Sequence, residues 1–305
     1  DTAGLAMSKF VIRETKPTIT LSSSSPDGSG FTPGNQESFR FNVAAASGED
    51  VILNNLIFTF SASDNAATDW NQCDTDDTTG ALMLASGADF KFYNLTEDSS
   101  ASSALAGTYS LLKSTGAVCN GTDADVAFVK LALTTAEVVP AGSTYVYSLW
   151  VNSDSANSVN NDSLQIGIAG DPITTSYIEV VDGSDDTTLT ATDTTITVDT
   201  DATTVYSVGD VIAYDDTAAD AAAAPDSSER MLVTTVAATL LTVVRGYLGT
   251  TPTAYTGGAT DEIYRLPGAL LWQDDGSTTV SSTTQEYYGA YLVDSLPVVG
   301  NAISF

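Results

Sequence analysis

Closely spaced carboxylates are the residues of this sequence whose types and spacing point most directly to chemistry. Three of them lie in the segment NQCDTDDTTG (71–80): Asp74, Asp76 and Asp77. Calcium takes about six to eight oxygen ligands, which Asp-rich loops supply. Counted from Asp74, however, Thr79 and Ala85 stand where an EF-hand loop has Gly and Glu. A calcium site on the three aspartates and a solvated acidic loop are therefore both open.

Histidine is absent, which excludes Ser-His-Asp triads, zinc sites with histidine ligands and histidine proton shuttles. Paired carboxylates can hydrolyse glycosides, but among 39 Asp and Glu residues chance pairs are expected and no local motif singles one out. The sequence also lacks a Gly-rich phosphate loop and a GxSxG elbow. We therefore expect no enzymatic activity, and no cofactor apart from the open calcium alternative.

Cys73 and Cys119, the two cysteines, both lie in polar segments rich in Asp or Gly. This placement predicts a disulfide, with buried free thiols as the alternative. A bridge would contribute about 4 kcal/mol on the chain-entropy model and would indicate an oxidising compartment. The sequence has no signal peptide and no apolar run of about 20 residues, and its start at Asp1 is consistent with processing. We expect a secreted or cell-surface protein with no membrane-spanning segment.

Three N-x-[ST] sequons occur, at Asn94, Asn120 and Asn161. They are candidate sites for attached glycans. A chain so rich in Asn, Ser and Thr also produces such sequons by chance, so both interpretations stand.

The net charge of −29 argues against nucleic acid as a partner, because a phosphate backbone is bound by patches of Lys and Arg. The chain has only ten basic residues, and none occurs between Lys130 and Arg230. An anionic membrane surface is disfavoured for the same reason.

Short alternating runs separated by turn residues dominate the first half of the chain, and this spacing predicts an all-β sandwich or barrel. Phe39, Phe41 and Val43 alternate with polar residues, as half-buried antiparallel strands do. The clearest strands are KPTITLSSS, ESFRFNVAAA, VILNNLIFTFSA, ADFKFYNL, DVAFVKLAL, STYVYSLWVNS and SLQIGIAG. Together they predict an immunoglobulin-like antiparallel β-sandwich of about seven strands.

Residues 174–266 change to a Thr- and Asp-rich composition with a different pattern. This region resembles a small β module of phage tail and secreted surface proteins, with a "vGDvI" strand, a Glu-x-Met-x-Val strand and an "RGxLGTT" loop. The matching residues are Val208, Gly209, Asp210, Val211, Ile212, Glu229, Met231, Val233, Leu241, Thr242, Val243, Arg245, Gly246, Leu248, Gly249, Thr250, Thr251, Gly258 and Ala259. Tyr255 departs from the pattern, since His is common there. The resemblance implies a structural, small β-barrel-like unit without catalytic residues.

The two ends of the sandwich region carry further motifs. The motif at the N-terminal end consists of Lys16, Pro17, Thr18, Ser25, Pro26, Gly28, Pro33, Gly34, Phe39, Arg40 and Phe41. The motif at the C-terminal end consists of Trp272, Asp274, Asp275, Tyr288, Gly289, Tyr291, Leu292, Val293, Leu296 and Pro297. With them the chain resembles repetitive β-sandwich surface proteins from uncultivated bacterial lineages, which implies a surface or assembly role. It also implies a connector at 1–17, a discontinuous sandwich from 18–173 and 267–305, and a small β domain at 174–266. Three consecutive units, with the small domain appended rather than inserted, are the alternative.

The stretch SKFVIRETK near the N-terminus carries three of the ten basic residues and alternates like a strand. Pro17 follows it and cannot donate a ladder hydrogen bond, so it separates this stretch from the sandwich. In the resembled group the preceding segment is similar to the last strand of a previous repeat. We therefore expect a head-to-tail homopolymer in which this strand completes a neighbour's sheet. The strand's predicted contact residues are Leu5, Met7, Lys9, Phe10, Val11, Ile12 and Arg13.

The sequence thus favours a structural subunit of an extracellular, pilus-like filament that polymerises by N-terminal donor-strand complementation. An S-layer or other lattice protein and a phage or virus tail or decoration protein are the alternatives. An adhesin would need an aromatic site on loops, which the sequence does not display.

Overall fold

The structure, a computed structural model, describes residues 15–30, 32–63, 89–113, 126–153, 162–170, 178–183, 188–198, 202, 206, 210–215, 229–247, 250–256, 262–266, 270–274, 287–289 and 293–304. The strands in these ranges are β1 (Pro17–Leu21), β2 (Gly28–Ser29), β3 (Asn35–Ala45), β4 (Val51–Ser63), β5 (Phe90–Asn94), β6 (Gly107–Lys113), β7 (Val126–Val139), β8 (Thr144–Asn152), β9 (Ser163–Ile168), β10 (Ile178–Gly183), β11 (Thr195–Thr197), β12 (Val211–Asp215), β13 (Met231–Ala237), β14 (Leu240–Val244), β15 (Glu262–Leu266), β16 (Leu270–Gln273), β17 (Tyr287–Gly289) and β18 (Val298–Ser304). The predicted all-β class is confirmed.

A four-stranded antiparallel sheet forms one layer of a sandwich, in the order β1-β3-β8-β5. Alternation explains its pairing. Along β3, Phe39, Phe41 and Val43 are fully buried, as their spacing predicted. They lie opposite Leu149, Tyr147 and Tyr145 of β8, which present the facing apolar row. One side of this sheet therefore faces the core throughout.

The second layer is a larger sheet whose path runs β17-β16-β4-β9-β18-β2, with β7 paired to β4 and β6 paired to β7. Its pairs are antiparallel apart from β18 and β2, which run parallel. Seven of the sandwich strands coincide with the seven predicted from the sequence. β2, β6, β16, β17 and β18 were not among those seven.

One apolar core fills the space between the two layers. Phe41 stands at its centre, with its ring 5.4 Å from that of Phe39, 6.1 Å from Phe92 and 5.8 Å from Tyr147. Trp272 of β16 is also fully buried in this core. The predicted immunoglobulin-like antiparallel sandwich is thus built around aromatic rings stacked on the four-stranded sheet, and Phe58 of β4 packs edge-on against Phe39 and Phe41 from the other layer.

A third sheet, in the order β10-β15-β12-β13-β14-β11, is antiparallel throughout. It encloses its own apolar cluster, and we call residues 178–266 the third-sheet unit. The chain returns to the sandwich afterwards, because β16 pairs with β4 and β18 pairs with β9. This is the strand order that an inserted unit requires. The domain boundaries given above stay a prediction.

Candidate functional site

The last residues of the predicted connector, 15–17, are held in the sandwich together with the start of β1. Thr15 is 4% exposed and its hydroxyl donates to the carbonyl oxygen of Ala46 at 3.5 Å. Lys16 forms an exposed ion pair with Asp294, with 2.5 Å between Nζ and Oδ2. The backbone N–H of Ile19 donates to the Ser295 hydroxyl at 2.8 Å. The chain is therefore anchored from residue 15 onward.

Both edges of the four-stranded sheet are covered by loop contacts. At β1, Pro17 has no N–H to offer, and the Ile19 N–H already has a partner in Ser295. At β5, the carbonyl of Phe92 accepts from the Leu105 N–H at 2.7 Å, and that of Asn94 accepts from the Asp98 N–H at 2.9 Å. Such capping is how proteins protect edge strands from unintended pairing.

Asp98 organises the loop that covers β5. Its carboxylate accepts hydrogen bonds from the hydroxyls of Ser100 and Ser102, at 2.6 and 2.9 Å, and from the backbone N–H groups of Ser100, Ser102 and Ser103. These bonds, the Ser100 hydroxyl first, hold the pKa of the Asp98 carboxyl far below its usual range. The loop therefore keeps its negative charge at any physiological pH.

Asn94 joins the two layers of the sandwich. Its Nδ2 donates to Oε2 of Glu137 on β7 at 2.9 Å, and its Oδ1 accepts from the N–H groups of Thr96 and Glu97. Burial raises the pKa of Glu137. Asn94 is 3% exposed, so an N-linked glycan on its Nδ2 would need space that the surrounding residues now fill. Glycosylation of Asn94 stays a prediction.

The "RGxLGTT" motif of the third-sheet unit contains a buried ion pair that the sequence analysis did not anticipate. Arg245 contacts Glu229 in bidentate fashion, through Nε–Oε1 and Nη2–Oε2 bonds of 2.7 Å each. Their side chains are 5% and 0% exposed. Arg245 also donates to the carbonyls of Thr190 and Thr253, at 2.7 and 2.6 Å. The pair thus fastens three separate loops together.

Glu229 has additional donors around its carboxylate. Gly246 and Thr253 donate their N–H groups at 3.1 and 2.9 Å, and the Tyr255 hydroxyl donates at 3.0 Å. Burial opposes the charge on Glu229, but the hydrogen bonds from Arg245 and from these backbone groups outweigh it and lower the pKa. Tyr255, the departure from the motif, therefore supplies a donor to the buried carboxylate.

A second buried ion pair joins the sandwich to the third-sheet unit. Lys130 of β7 contacts Asp210, the Asp of the "vGDvI" motif, and the two side chains are 7% and 4% exposed. Lys130 lies between Val129 and Leu131, which point into the core, so its side chain lies on the outer face of the sheet with Phe128. The only hint in the sequence was a single lysine in the apolar run DVAFVKLAL.

Several predicted site residues lie outside the described ranges. They are the connector residues Leu5, Met7, Lys9, Phe10, Val11, Ile12 and Arg13, the cysteines Cys73 and Cys119, the aspartates Asp74, Asp76 and Asp77, and the asparagines Asn120 and Asn161. The described residues contain no group of three or more Asp, Glu, Cys or His arranged to hold a metal ion. Nor does any helix within the described part have the length and apolarity needed to cross a membrane.

Comparisons with known proteins add little to these contacts. The chain matches no protein-family model and no curated protein sequence. Among solved structures, the pilus backbone protein RrgB of Streptococcus pneumoniae is similar at 10% sequence identity, over 95% of this chain and 92% of that one. The TM-score is 0.19, so the likeness carries no argument about this protein.

Proposed function

We propose that this chain is a structural subunit of an extracellular, pilus-like filament, and that residues 5–13 of one copy complete a sheet of the next copy. The observation that carries the proposal is the anchoring of β1. Its pairing with β3 begins at Pro17, opposite Ala45, and Lys16 is tied to Asp294. The alternating stretch before it is therefore not needed for this pairing, and we assign it to the sheet of another copy.

The anchoring also suits a load-bearing link between subunits. β1 pairs with β3 over five consecutive residue pairs, and β3 in turn pairs with β8 over most of its length. Tension applied to the connector would therefore load the hydrogen bonds of this ladder together rather than one after another.

The chemistry of the connector suits a homopolymer. Phe10 and Ile12, which share one face of the strand, would each contribute roughly 1.5–3 kcal/mol when buried against a neighbour. Lys9 and Arg13 would be attracted locally to acidic residues of a subunit whose net charge is −29, which favours the correct orientation of the strand. The same charges discourage pairing between two connectors.

Deleting residues 1–14, while keeping the anchored Thr15, is expected to give a folded monomer that does not polymerise. Circular dichroism checks the fold, and light scattering with negative-stain microscopy checks assembly. A synthetic peptide of residues 1–14 should bind the truncated protein and should slow elongation of the intact one. Filaments that persist after the deletion would rule the proposal out.

Two matched variants test which face of the connector strand is buried in the neighbouring subunit. Phe10→Ser combined with Ile12→Ser removes the apolar face of the connector and should abolish polymerisation. Val11→Ser removes apolar surface from the face that carries Lys9 and Arg13, and should leave polymerisation within about threefold of the natural protein, since exposed positions contribute little. Equal loss in both variants would contradict a strand with one buried face.

A further inference from the structure

β6 is an edge strand with one side in use. It pairs with β7 from Gly107 to Lys113, and the carbonyl of Ala106 accepts from the Thr134 N–H at 2.9 Å. Antiparallel pairing alternates, so the N–H and C=O groups of residues 107, 109 and 111 point away from β7. In the part of the chain that the structure describes, no strand pairs with that side.

The side chains of β6 indicate which residue types a strand added at this edge would need on each of its faces. Leu111 is 8% exposed and belongs to the sandwich core, and the Tyr109 ring stacks on Phe90 of β5 at 5.8 Å. Thr108, on the opposite face, is exposed, and Ser110 is half-buried. An added strand would therefore need apolar residues beside Tyr109 and Leu111, and polar ones beside Thr108 and Ser110.

The other sandwich edges offer less room in the described part, and β17, at one edge of the larger sheet, spans only three residues. Ser295 covers β1, and the loop organised by Asp98 covers β5. β18 pairs with β9 on one side and with β2 on the other at Ile303 and Ser304. This leaves only its residues 298–302, interrupted by a register shift between Val299 and Ala302.

We infer that the outer edge of β6, which no described strand pairs with, is the acceptor for residues 5–13 of a second copy of this chain. The inference rests on the proposed function and names the surface that the connector occupies. Phe10 and Ile12 alternate with Lys9, Val11 and Arg13, which matches the two faces of β6. Glu97 and Asp98 lie in the loop leading into β6, and their negative charges complement Lys9 and Arg13.

Donor and acceptor lie on opposite sides of the sandwich. β1, where the connector joins, is one edge of the four-stranded sheet, and β5 is the other. The contact between Tyr109 and Phe90 places β6 beside β5. Residues 1–14 reach at most about 45–50 Å when extended, enough to cross to a neighbour. A contact between two different patches is heterologous and propagates as an open polymer.

Photo-crosslinking tests this assignment without assuming a register. Benzoylphenylalanine replaces Phe10, and subunits of natural isotope composition are mixed with ¹⁵N-labelled subunits before assembly. After irradiation, crosslinked peptides are identified by mass spectrometry, and peptides that combine both isotope compositions are intermolecular. We expect intermolecular crosslinks to residues 107–113, at least tenfold above those to 298–302. The same probe in place of Thr18, an exposed residue of β1, is the matched control and should give no such enrichment.

The alternative results separate the two proposals. Intermolecular crosslinks to β18 or β1 would overturn the β6 assignment and leave the donor-strand filament standing. Crosslinks to another segment of the same chain, with no polymer, would overturn both. As a second measurement, Thr108→Lys with Ser110→Lys should slow polymerisation about three- to tenfold by repelling Lys9 and Arg13, whereas Asn301→Lys on β18 should not. Equal rates for all three proteins would contradict the assignment.

Discussion

The sandwich and the third-sheet unit hold their interiors together by different means. The sandwich relies on rings stacked around Phe41, all from the four-stranded sheet, with Phe58 of the other layer packed edge-on against them. The third-sheet unit has a smaller apolar cluster and adds the buried pair of Glu229 and Arg245, whose hydrogen bonds reach Thr190, Gly246 and Thr253. Small units bury too little surface to rely on apolar packing alone. In this unit a satisfied ion pair fixes loops that have no strand ladder of their own.

The largest effect is expected from breaking that ion pair. Arg245→Met leaves the Glu229 carboxylate buried without its guanidinium, which costs about 3–5 kcal/mol. Hydrogen–deuterium exchange should rise in β13 and β14 and stay unchanged in β3 and β8, because the sandwich core does not contain the pair. Stability falling equally in both regions would contradict the separation drawn here.

Two controls refine this experiment. Arg230→Met removes a neighbouring arginine that is not part of the pair and should cost about 0.5 kcal/mol or less. Arg245→Met combined with Glu229→Gln removes the buried charge as well, and should recover part of the lost stability. If the double variant is no more stable than Arg245→Met, the loss of hydrogen bonds to the backbone, rather than the unpaired charge, accounts for most of the lost stability.

The pair of Lys130 and Asp210 links the two regions, so breaking it tests whether they behave as one body. Lys130→Met keeps the apolar stem but removes the ammonium from Asp210, and we expect a loss of about 3 kcal/mol. Calorimetry should then resolve separate unfolding of the sandwich and the third-sheet unit. Lys91→Met, at an exposed position on β5, is the control, and it should leave the transition unchanged. A single shifted transition for Lys130→Met would show that other contacts couple the regions.

Local patterns predicted the sandwich well because its strands are half-buried and alternate. β18 escaped prediction because Gly300 and Asn301 interrupt its apolar alternation, and the register shift there moves Ile303 back into the core. β6 escaped because GTYSLLK follows a Ser- and Ala-rich segment and mixes polar and apolar residues on both faces. Both are strands whose tertiary partners, rather than their own sequence, decide their conformation.

The two ion pairs differ in how far sequence could have revealed them. Glu229 and Arg245 flank the hairpin of β13 and β14, in which Leu232 pairs with Val244. Hairpin pairing alone brings the two residues close, so this ion pair could have been predicted from the motif. Lys130 and Asp210 are 80 positions apart and meet only through the packing of one unit on the other. No local pattern encodes that contact.

The smallest expected effect is a difference in pH dependence between the two regions. The pKa of Glu229 is lowered in the fold, so its contribution is complete above the ordinary Glu value and is lost as the pH falls below it. The pKa of Glu137 is raised by burial, so its contribution is complete below the ordinary value and is lost as the pH rises. Acidification from pH 7 towards 3 should therefore loosen β13 and β14 while easing the strain of burying a charge between β5 and β7. The protection of each region from hydrogen exchange, measured against pH, should change in opposite directions across this range. Glu229→Gln should remove the pH dependence of β13 and β14 only, and Glu137→Gln that of β5 and β7 only. The same pH dependence in both regions would mean that the global charge of the chain governs both.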